Sequence, residues 1–265
     1  MVLSMSEEIK TLVIVEGEKG EPAFCKSIEA AYSLNFSICC LGTNIYSLYK
    51  KLEEYDFNAD IKKILVELHP EYEEILSQKF AYTYLFFDLD PHHTKKDELR
   101  TVEQIICENI EKIKEMATFF NDETDPTIGR LYINYPMLES YRDCDVPFDP
   151  NYQDEYVQIA DIGLFKQHVG KKKMASKHLD KYTENDYNEL TKMNVYKLNK
   201  IMNQHWDVMK YEDYLAASPA LNILGYQTQI VSNEKKIAVL NTSLFFLLDF
   251  FGNQSGFYDK VMSLQ

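Results

Sequence analysis

The stretch "YLFFDLDPHH", residues 84–93, decides the prediction of the fold. Its apolar and aromatic residues are typical of a buried strand, and the strand ends in two aspartates, Asp88 and Asp90. Because side chains at i and i+2 lie on one face of a strand, both carboxylates are expected to project together. Two neighbouring anions are costly unless a cation lies near them, so the stretch predicts a site for a positive ion.

Other short apolar runs alternate with helical patterns along the first half of the chain. The predicted strands are residues 11–18, 36–42, 82–90 and 130–135. Between them, apolar residues recur at helical spacing in "EPAFCKSIEAAYS", within 44–80 and over 97–120, and Pro70 is expected to break the second of these segments. This alternation predicts βαβ units, and therefore an α/β fold with a mostly parallel sheet flanked by helices.

Three acidic residues fall at the carboxyl ends of predicted strands, where functional groups gather in parallel sheets. Glu16 follows the first strand, while Asp88 and Asp90 follow the third. Magnesium prefers oxygen ligands and often takes one or two carboxylates, so the aspartates suit a metal site. Glu16 could hold a second ion or act as acid or base, and Gly17 would let the chain turn tightly and a phosphate approach.

The segments "LVIVEGEKGEPAF" and "YLFFDLD" resemble the Toprim domain shared by topoisomerases, bacterial primases and OLD-type nucleases. That family has a glutamate and a glycine after its first strand and an Asp-x-Asp after its third, and Glu16-Gly17 and Asp88-Leu89-Asp90 match both motifs in order. "VEGEKGEPAF" is most similar to the OLD-like and RloB-like branches found in bacterial anti-phage systems. The resemblance covers residues 11 to about 141 and does not extend to the second half of the chain.

The resemblance implies a nuclease that depends on Mg²⁺ or Mn²⁺ and cleaves phosphodiester bonds in RNA, including tRNA, or in DNA. Asp88 and Asp90 would hold the metal, and Glu16 would be a second ligand or the acid/base. OLD-like relatives carry a further glutamate after the fourth strand, which would be Glu139 here; the alternative is that Glu139 simply begins a surface helix. The same resemblance implies an antiviral, abortive-infection effector, with a partner ATPase or sensor and a homo-oligomer as candidate partners beside the nucleic acid.

Residues next to these motifs are candidates for binding substrate phosphates. Gly17 and Glu18 belong to the first motif, and Arg142 follows Glu139. Asn134 and Tyr135, at the end of the fourth strand, could line the same cleft, although strand packing explains Tyr135 equally well. The candidate lysines are Lys19, Lys95, Lys96, Lys171, Lys172 and Lys173, the last three within the lysine-rich segment "KQHVGKKKMASKHLDK" (166–181). Solvated lysines are the alternative for all of them. His92 and His93 invite a metal or general-base interpretation, with exposed loop histidines as the alternative.

A polar segment with two prolines, residues 142–156, suggests a boundary between a metal-binding domain, 1–145, and a mainly helical domain, 146–265. Helices are predicted in the second part at about 157–168, 186–205, 207–217 and 242–251.

The composition is that of an ordinary globular protein, with 45% hydrophobic and 26% charged residues. No apolar run is long enough to span a membrane, and the N-terminus lacks the pattern of a signal peptide. Five cysteines without disulfide or zinc spacing favour a reduced, cytoplasmic protein. The net charge of -14 argues against a general nucleic-acid coat, although a local basic patch could still bind a substrate.

Two other functions remain open at this point. An apolar strand followed by Asp-x-Asp also describes HAD-type phosphatases, in which the first aspartate is the nucleophile and the second is the acid/base. That alternative leaves Glu16 unexplained and places Pro91 where a small hydroxyl residue is usual. The other alternative is a non-catalytic module that binds a partner through the apolar segment "SLFFLLDFF".

Overall fold

The computed structural model describes residues 10–91, 100–121, 128–252 and 256–264. Its strands are β1 (Thr11–Val15), β2 (Phe36–Cys40), β3 (Tyr82–Asp88), β4 (Arg130–Tyr135), β5 (Tyr156–Gln158), β6 (Lys236–Ala238) and β7 (Leu240–Asn241). Five of them form one sheet in the order β2-β1-β3-β4-β7, in which the first four are parallel and β7 is antiparallel to β4. The predicted α/β fold with a mostly parallel sheet is confirmed.

Helices flank this sheet and make up most of the second half. They are α1 (Gly20–Tyr32), α2 (Ile45–Glu54), α3 (Ile61–Leu68), α4 (Glu73–Leu76), α5 (Val102–Phe120), α6 (Phe165–Val169), α7 (Glu184–Asn203), α8 (Tyr211–Ala217), α9 (Pro219–Glu234), α10 (Phe245–Phe251) and α11 (Phe257–Met262). The prediction of a mainly helical C-terminal region is therefore confirmed. Within the described residues, no helix combines the length and apolar character that crossing a bilayer requires.

Several helix boundaries follow from local chemistry. The Thr101 hydroxyl accepts a hydrogen bond from the backbone N–H of Gln104, and the Gln104 side chain accepts one from the backbone N–H of Thr101, which makes a capping box at the start of α5. The Asn44 side chain caps α2 by accepting from the backbone N–H of Ser47. Pro70 begins a short 3-10 helix after α3, as the predicted break requires.

The two faces of β3 pack against different helices. On one face, Leu85 lies next to Phe120 of α5 beside Gly129. On the other face, Tyr84 and Phe86 make edge-to-face contacts with Phe246 of α10. Because both faces are covered, β3 is buried over most of its length, which explains its nearly continuous apolar sequence.

The second half of the chain departs from the predicted helices at two points. Residues 157–168 do not form one helix: they begin in strand β5, in which Val157 pairs with Ile237, and continue through a 3-10 helix into α6. Helix α9 was not predicted at all. The apolar spacing of α9 is interrupted by the buried Gln227. The Gln227 amide donates a hydrogen bond to the backbone carbonyl of Ala238 and accepts one from its backbone N–H, which fixes strand β6. Both predictions failed because the structure of these segments depends on contacts with residues outside them.

Strand β7 adds residues from the C-terminal part of the chain to the main sheet. Its Asn241 pairs with Asn134 of β4, and its Leu240 pairs with Tyr135. Residues from both sides of the predicted boundary at 145/146 therefore contribute to one sheet and to one continuous apolar core.

Candidate active site

The predicted glutamate at the end of β1 is Glu16, and its side chain is partly buried. Its backbone carbonyl accepts a hydrogen bond from the N–H of Gly42 (3.0 Å), which fixes the chain after the strand. Its Oε2 atom is buried and receives no hydrogen bond. Burial, together with the charges of Asp90 and Glu21, raises the pKa of Glu16 to about 8, although a backbone hydrogen bond from Asp88 and the charge of Lys166 act in the opposite direction.

Asp88 ends β3 beside Glu16. Burial and the charges of Glu16 and Glu21 raise the pKa of Asp88 well above its ordinary value. The amide Nδ2 of Asn134 donates a hydrogen bond to Asp88 Oδ1 (3.3 Å). The other end of that amide is fixed, because Asn134 Oδ1 accepts from the hydroxyl of Ser243 (2.9 Å). Asn134, which was predicted to line the cleft, therefore orients the Asp88 carboxylate, and Ser243 of the C-terminal region holds Asn134 in place.

Asp90 reaches the same site by a route that the sequence did not predict. Strand β3 ends at Asp88, so Asp90 does not share a strand face with it. Instead, Asp90 has a φ of 40°, in the left-handed region that aspartate tolerates better than most residues. Its backbone N–H donates to the carbonyl of Pro136 after β4 (3.3 Å). This turn brings the Asp90 charge close enough to raise the pKa of both Glu16 and Tyr46.

Glu139 lies in the 3-10 helix Leu138–Arg142 that follows β4. Its Oε1 atom forms an ion pair with Lys166 Nζ at 3.1 Å, whereas its Oε2 atom is buried and receives no hydrogen bond. The 3-10 helix also connects to the aspartates, since the backbone of Leu138 hydrogen-bonds the carboxylate of Asp88. The structure thus places Glu139 beside the predicted metal ligands rather than on a separate surface helix.

Two charged residues of this site were missed by sequence reasoning. Burial lowers the pKa of Lys166, but the charges of Glu139, Asp88 and Glu21 outweigh this effect and raise it. Lys166 is the first lysine of the segment 166–181, so the cluster of lysines in the sequence indicated this region but not this particular residue. Glu21 lies in the first turn of α1, where a carboxylate suits the positive end of the helix dipole.

An open cleft of about 610 Å³ lies next to Glu16, between the β1–α1 turn and the start of α2. Gly17, Glu18 and Lys19 line it, and the last two are exposed. A Cβ atom on residue 17 would stand 2.9 Å from the Glu21 carboxylate, so glycine leaves room for Glu21 to fold back over the turn. The cleft is wide enough for a phosphate group to approach Glu16.

The donor set fits a hydrated magnesium or manganese ion. The buried, unbonded oxygens of Glu16 and Glu139 are both atoms that a cation would satisfy. In the described part of the chain, however, the ligand atoms of these carboxylates do not form a group of three within 4.8 Å of one another. A Mg²⁺ ion at this site would therefore be held directly by one or two of these carboxylates and would keep several water ligands.

The other candidate residues divide into three groups. Lys171 and Lys173 are exposed, while Lys172 pairs with Glu155 at 2.6 Å and is not directed at the Glu16 site. Tyr135 and Arg142 each carry a buried polar atom without a hydrogen bond. The candidates that lie outside the described residues are Lys95, Lys96, His92 and His93.

Comparison of the chain with family models, with curated proteins and with solved structures finds no match. The function must therefore be inferred from the site itself.

Proposed function

We propose that this protein is a divalent-metal-dependent nuclease that hydrolyses phosphodiester bonds, with its active site at the carboxyl ends of β1, β3 and β4. One observation carries the proposal. At this edge of the sheet, four carboxyl groups interact electrostatically with one another or with Lys166: those of Glu16, Asp88, Asp90 and Glu139. Two of them, Glu16 and Glu139, each have a buried oxygen without a hydrogen bond. Four partly buried carboxylates at one place are costly, and a bound cation offsets that cost.

The residues suit phosphodiester hydrolysis. A bound Mg²⁺ or Mn²⁺ would supply Lewis acidity toward the phosphate and lower the pKa of a coordinated water. Asp88 and Asp90 would hold the metal, with Asp88 oriented by Asn134. Glu16, whose pKa of about 8 lies close to neutral pH, can take up or release a proton as acid or base when no ion binds it directly.

Lys166 provides the positive charge that phosphate binding needs at this site. Its ammonium group pairs with Glu139 but remains largely exposed, with 67% of the side chain accessible to solvent. It can therefore turn from Glu139 to a substrate phosphate at small cost. Lys19 is exposed and lines the cleft beside Glu16. Lys171 and Lys173 are exposed in the segment that begins with Lys166 and are further candidates for binding a polyanion, which an acidic protein needs local basic residues to hold.

The match of Glu16-Gly17 and Asp88-Leu89-Asp90 to the Toprim motifs also supports the proposal. The role in anti-phage defence and the partner ATPase or sensor rest on that resemblance alone. RNA, tRNA and DNA are all candidate substrates.

The test is cleavage of end-labelled tRNA, single-stranded RNA and DNA by the purified protein with Mg²⁺, with Mn²⁺ and with EDTA. We expect metal-dependent cleavage of at least one substrate, and a loss of about 100-fold or more in Asp90→Asn, since its carboxylate is a direct ligand. Asp213→Asn is the matched control, because Asp213 is an exposed aspartate of α8 and does not belong to this site. Equal cleavage by wild type and Asp90→Asn would show that a contaminating nuclease or another site is responsible.

The same assay separates the nuclease from the HAD-type alternative. A HAD-type site uses the two aspartates and leaves Glu16 without a role. Glu16→Gln should abolish cleavage in a nuclease of the proposed kind, whereas a phosphatase that used only the aspartates would retain activity on small phosphate esters.

A further inference from the structure

A second group of potential metal ligands lies outside the Glu16 site. Asp143, Glu155 and His168 each offer one ligand atom, and these three atoms all lie within 4.8 Å of one another. His168 Nε2 is 3.3 Å from Asp143 Oδ1 and 4.0 Å from Glu155 Oε2. An ion with ligand bonds of about 2.0–2.2 Å in tetrahedral geometry separates neighbouring ligand atoms by about 3.4 Å, so only small movements would complete a coordination shell.

The carboxylate of Asp143 gives an independent indication that a ligand is missing. Its side chain is 0% exposed, and neither of its oxygens receives a hydrogen bond. The basic side chains beside it are His168 and Lys172, and Lys172 Nζ stands 3.6 Å from Asp143 Oδ1. A buried carboxylate that accepts no hydrogen bond is rare and costly in a folded protein.

Lys172 does not already fill the site. Its ammonium group bonds the other oxygen of Glu155, Oε1, at 2.6 Å. Glu155 Oε2 is left facing His168. Lys172 therefore fixes the Glu155 carboxylate through Oε1, and at 3.6 Å from Asp143 Oδ1 it leaves that oxygen without a hydrogen bond.

We propose that Asp143, Glu155 and His168 bind a divalent transition-metal ion, with Zn²⁺ the ion that fits best. One imidazole nitrogen and two carboxylates suit zinc better than magnesium, which avoids nitrogen ligands. All three residues line a cavity of about 350 Å³, so the fourth coordination position opens to solvent or to a small ligand.

The site ties together segments that are far apart in the sequence. Asp143 follows the 3-10 helix that carries Glu139, Glu155 precedes β5, and His168 lies on α6. The same short helix α6 presents Lys166 to Glu139. A bound ion would hold α6 against the segment that bears Glu139, independently of whether the Glu16 site is catalytic.

The experiment is a titration of the full-length protein with Zn²⁺ by calorimetry, in saturating Mg²⁺ so that the oxygen-ligand site of Glu16 is already filled. We expect one Zn²⁺ per chain in the wild type and in Glu16→Gln. Affinity should fall about 100-fold or more in His168→Asn and in Asp143→Asn, since each removes a direct ligand. Zn²⁺ should also raise the Tm of the wild type but not of these two variants.

His178→Asn is the matched control, because His178 is exposed and belongs to the same lysine-rich segment without joining the group. It should bind Zn²⁺ as the wild type does. His168 is half exposed, so its replacement does not threaten folding, and the Tm of each metal-free variant checks this directly. Unchanged zinc affinity in His168→Asn and Asp143→Asn would overturn the proposal, as would zinc binding that disappears only in Glu16→Gln.

Discussion

Replacing Glu16 with glutamine is expected to stabilise the metal-free protein while it removes the proposed activity. The Glu16 side chain is partly buried, and the pKa of its carboxyl group is raised from 4.5 to about 8. A carboxyl whose pKa is higher in the folded state binds a proton more tightly there than in the unfolded chain. Its contribution to stability is therefore most favourable below pH 4.5 and is lost as the pH rises toward 8.

The magnitude follows from the same values. A solution at pH 7 is about 2.5 units above the pKa of 4.5 that Glu16 has in the unfolded chain, and each unit corresponds to about 1.4 kcal/mol. Glu16 therefore lowers the free energy of unfolding of the metal-free protein by about 3 kcal/mol. Glutamine has nearly the same shape and no charge to desolvate.

The assay is urea unfolding in EDTA at pH 7 and near pH 4.5. Glu16→Gln should exceed the wild type in free energy of unfolding by about 3 kcal/mol at pH 7 and by less than about 0.5 kcal/mol near pH 4.5. Glu18→Gln, at an exposed neighbouring position, should change the stability little at either pH. Adding Mg²⁺ should stabilise the wild type more than Glu16→Gln, since the ion neutralises the carboxylate that the variant lacks.

Two results would refute this reasoning. If Glu16→Gln were no more stable than the wild type at pH 7, the carboxyl group would not carry the desolvation cost that the structure implies. If the difference between them were the same at both pH values, it would have some cause other than the ionisation of Glu16.

Three further predictions test other parts of the structure. Lys166→Gln should lower cleavage about tenfold or more while Mg²⁺ binding is kept, because its ammonium group is assigned to the substrate phosphate and not to the metal; steady-state kinetics and calorimetry check this. Asn134→Ala should reduce Mg²⁺ affinity about 10–100-fold by releasing the Asp88 carboxylate, measured by the same titration. Phe246→Ala should lower the free energy of unfolding by about 3–5 kcal/mol in a single transition that includes the sheet, because Phe246 packs on Tyr84 and Phe86 of β3; separate transitions for the two halves would contradict it.

The fold was largely predictable because its first half depends on local patterns. Strands β1, β3 and β4 are short apolar runs that are buried on both faces, and such runs are visible in sequence whatever they pack against. The helices between them carry regular apolar spacing and caps such as Thr101. The second half was harder, since β5 forms by pairing of Val157 with Ile237, 80 residues further along the chain, and Gln227 of α9 bonds Ala238 in the next strand.

The acidic residues of the candidate site were predictable for a related reason. Parallel strands bring their carboxyl ends to one edge, so Glu16 and Asp88 had to be neighbours once the strand order placed β1 beside β3. The strand geometry assumed for Asp90 was wrong, although Asp90 still reaches the site through its left-handed turn. The metal, the substrate and the Toprim assignment stay predictions.

The sequence by itself determined the parallel sheet and which carboxylates would meet at its edge, because both depend on hydrophobic runs and on what directly follows them. Only the tertiary structure decided that Lys166 would stand among these carboxylates, that Ser243 would fix Asn134, and that His168 would meet Asp143 and Glu155. These contacts join residues from different parts of the chain. No local pattern encodes them, since each depends on how separate elements pack across the core.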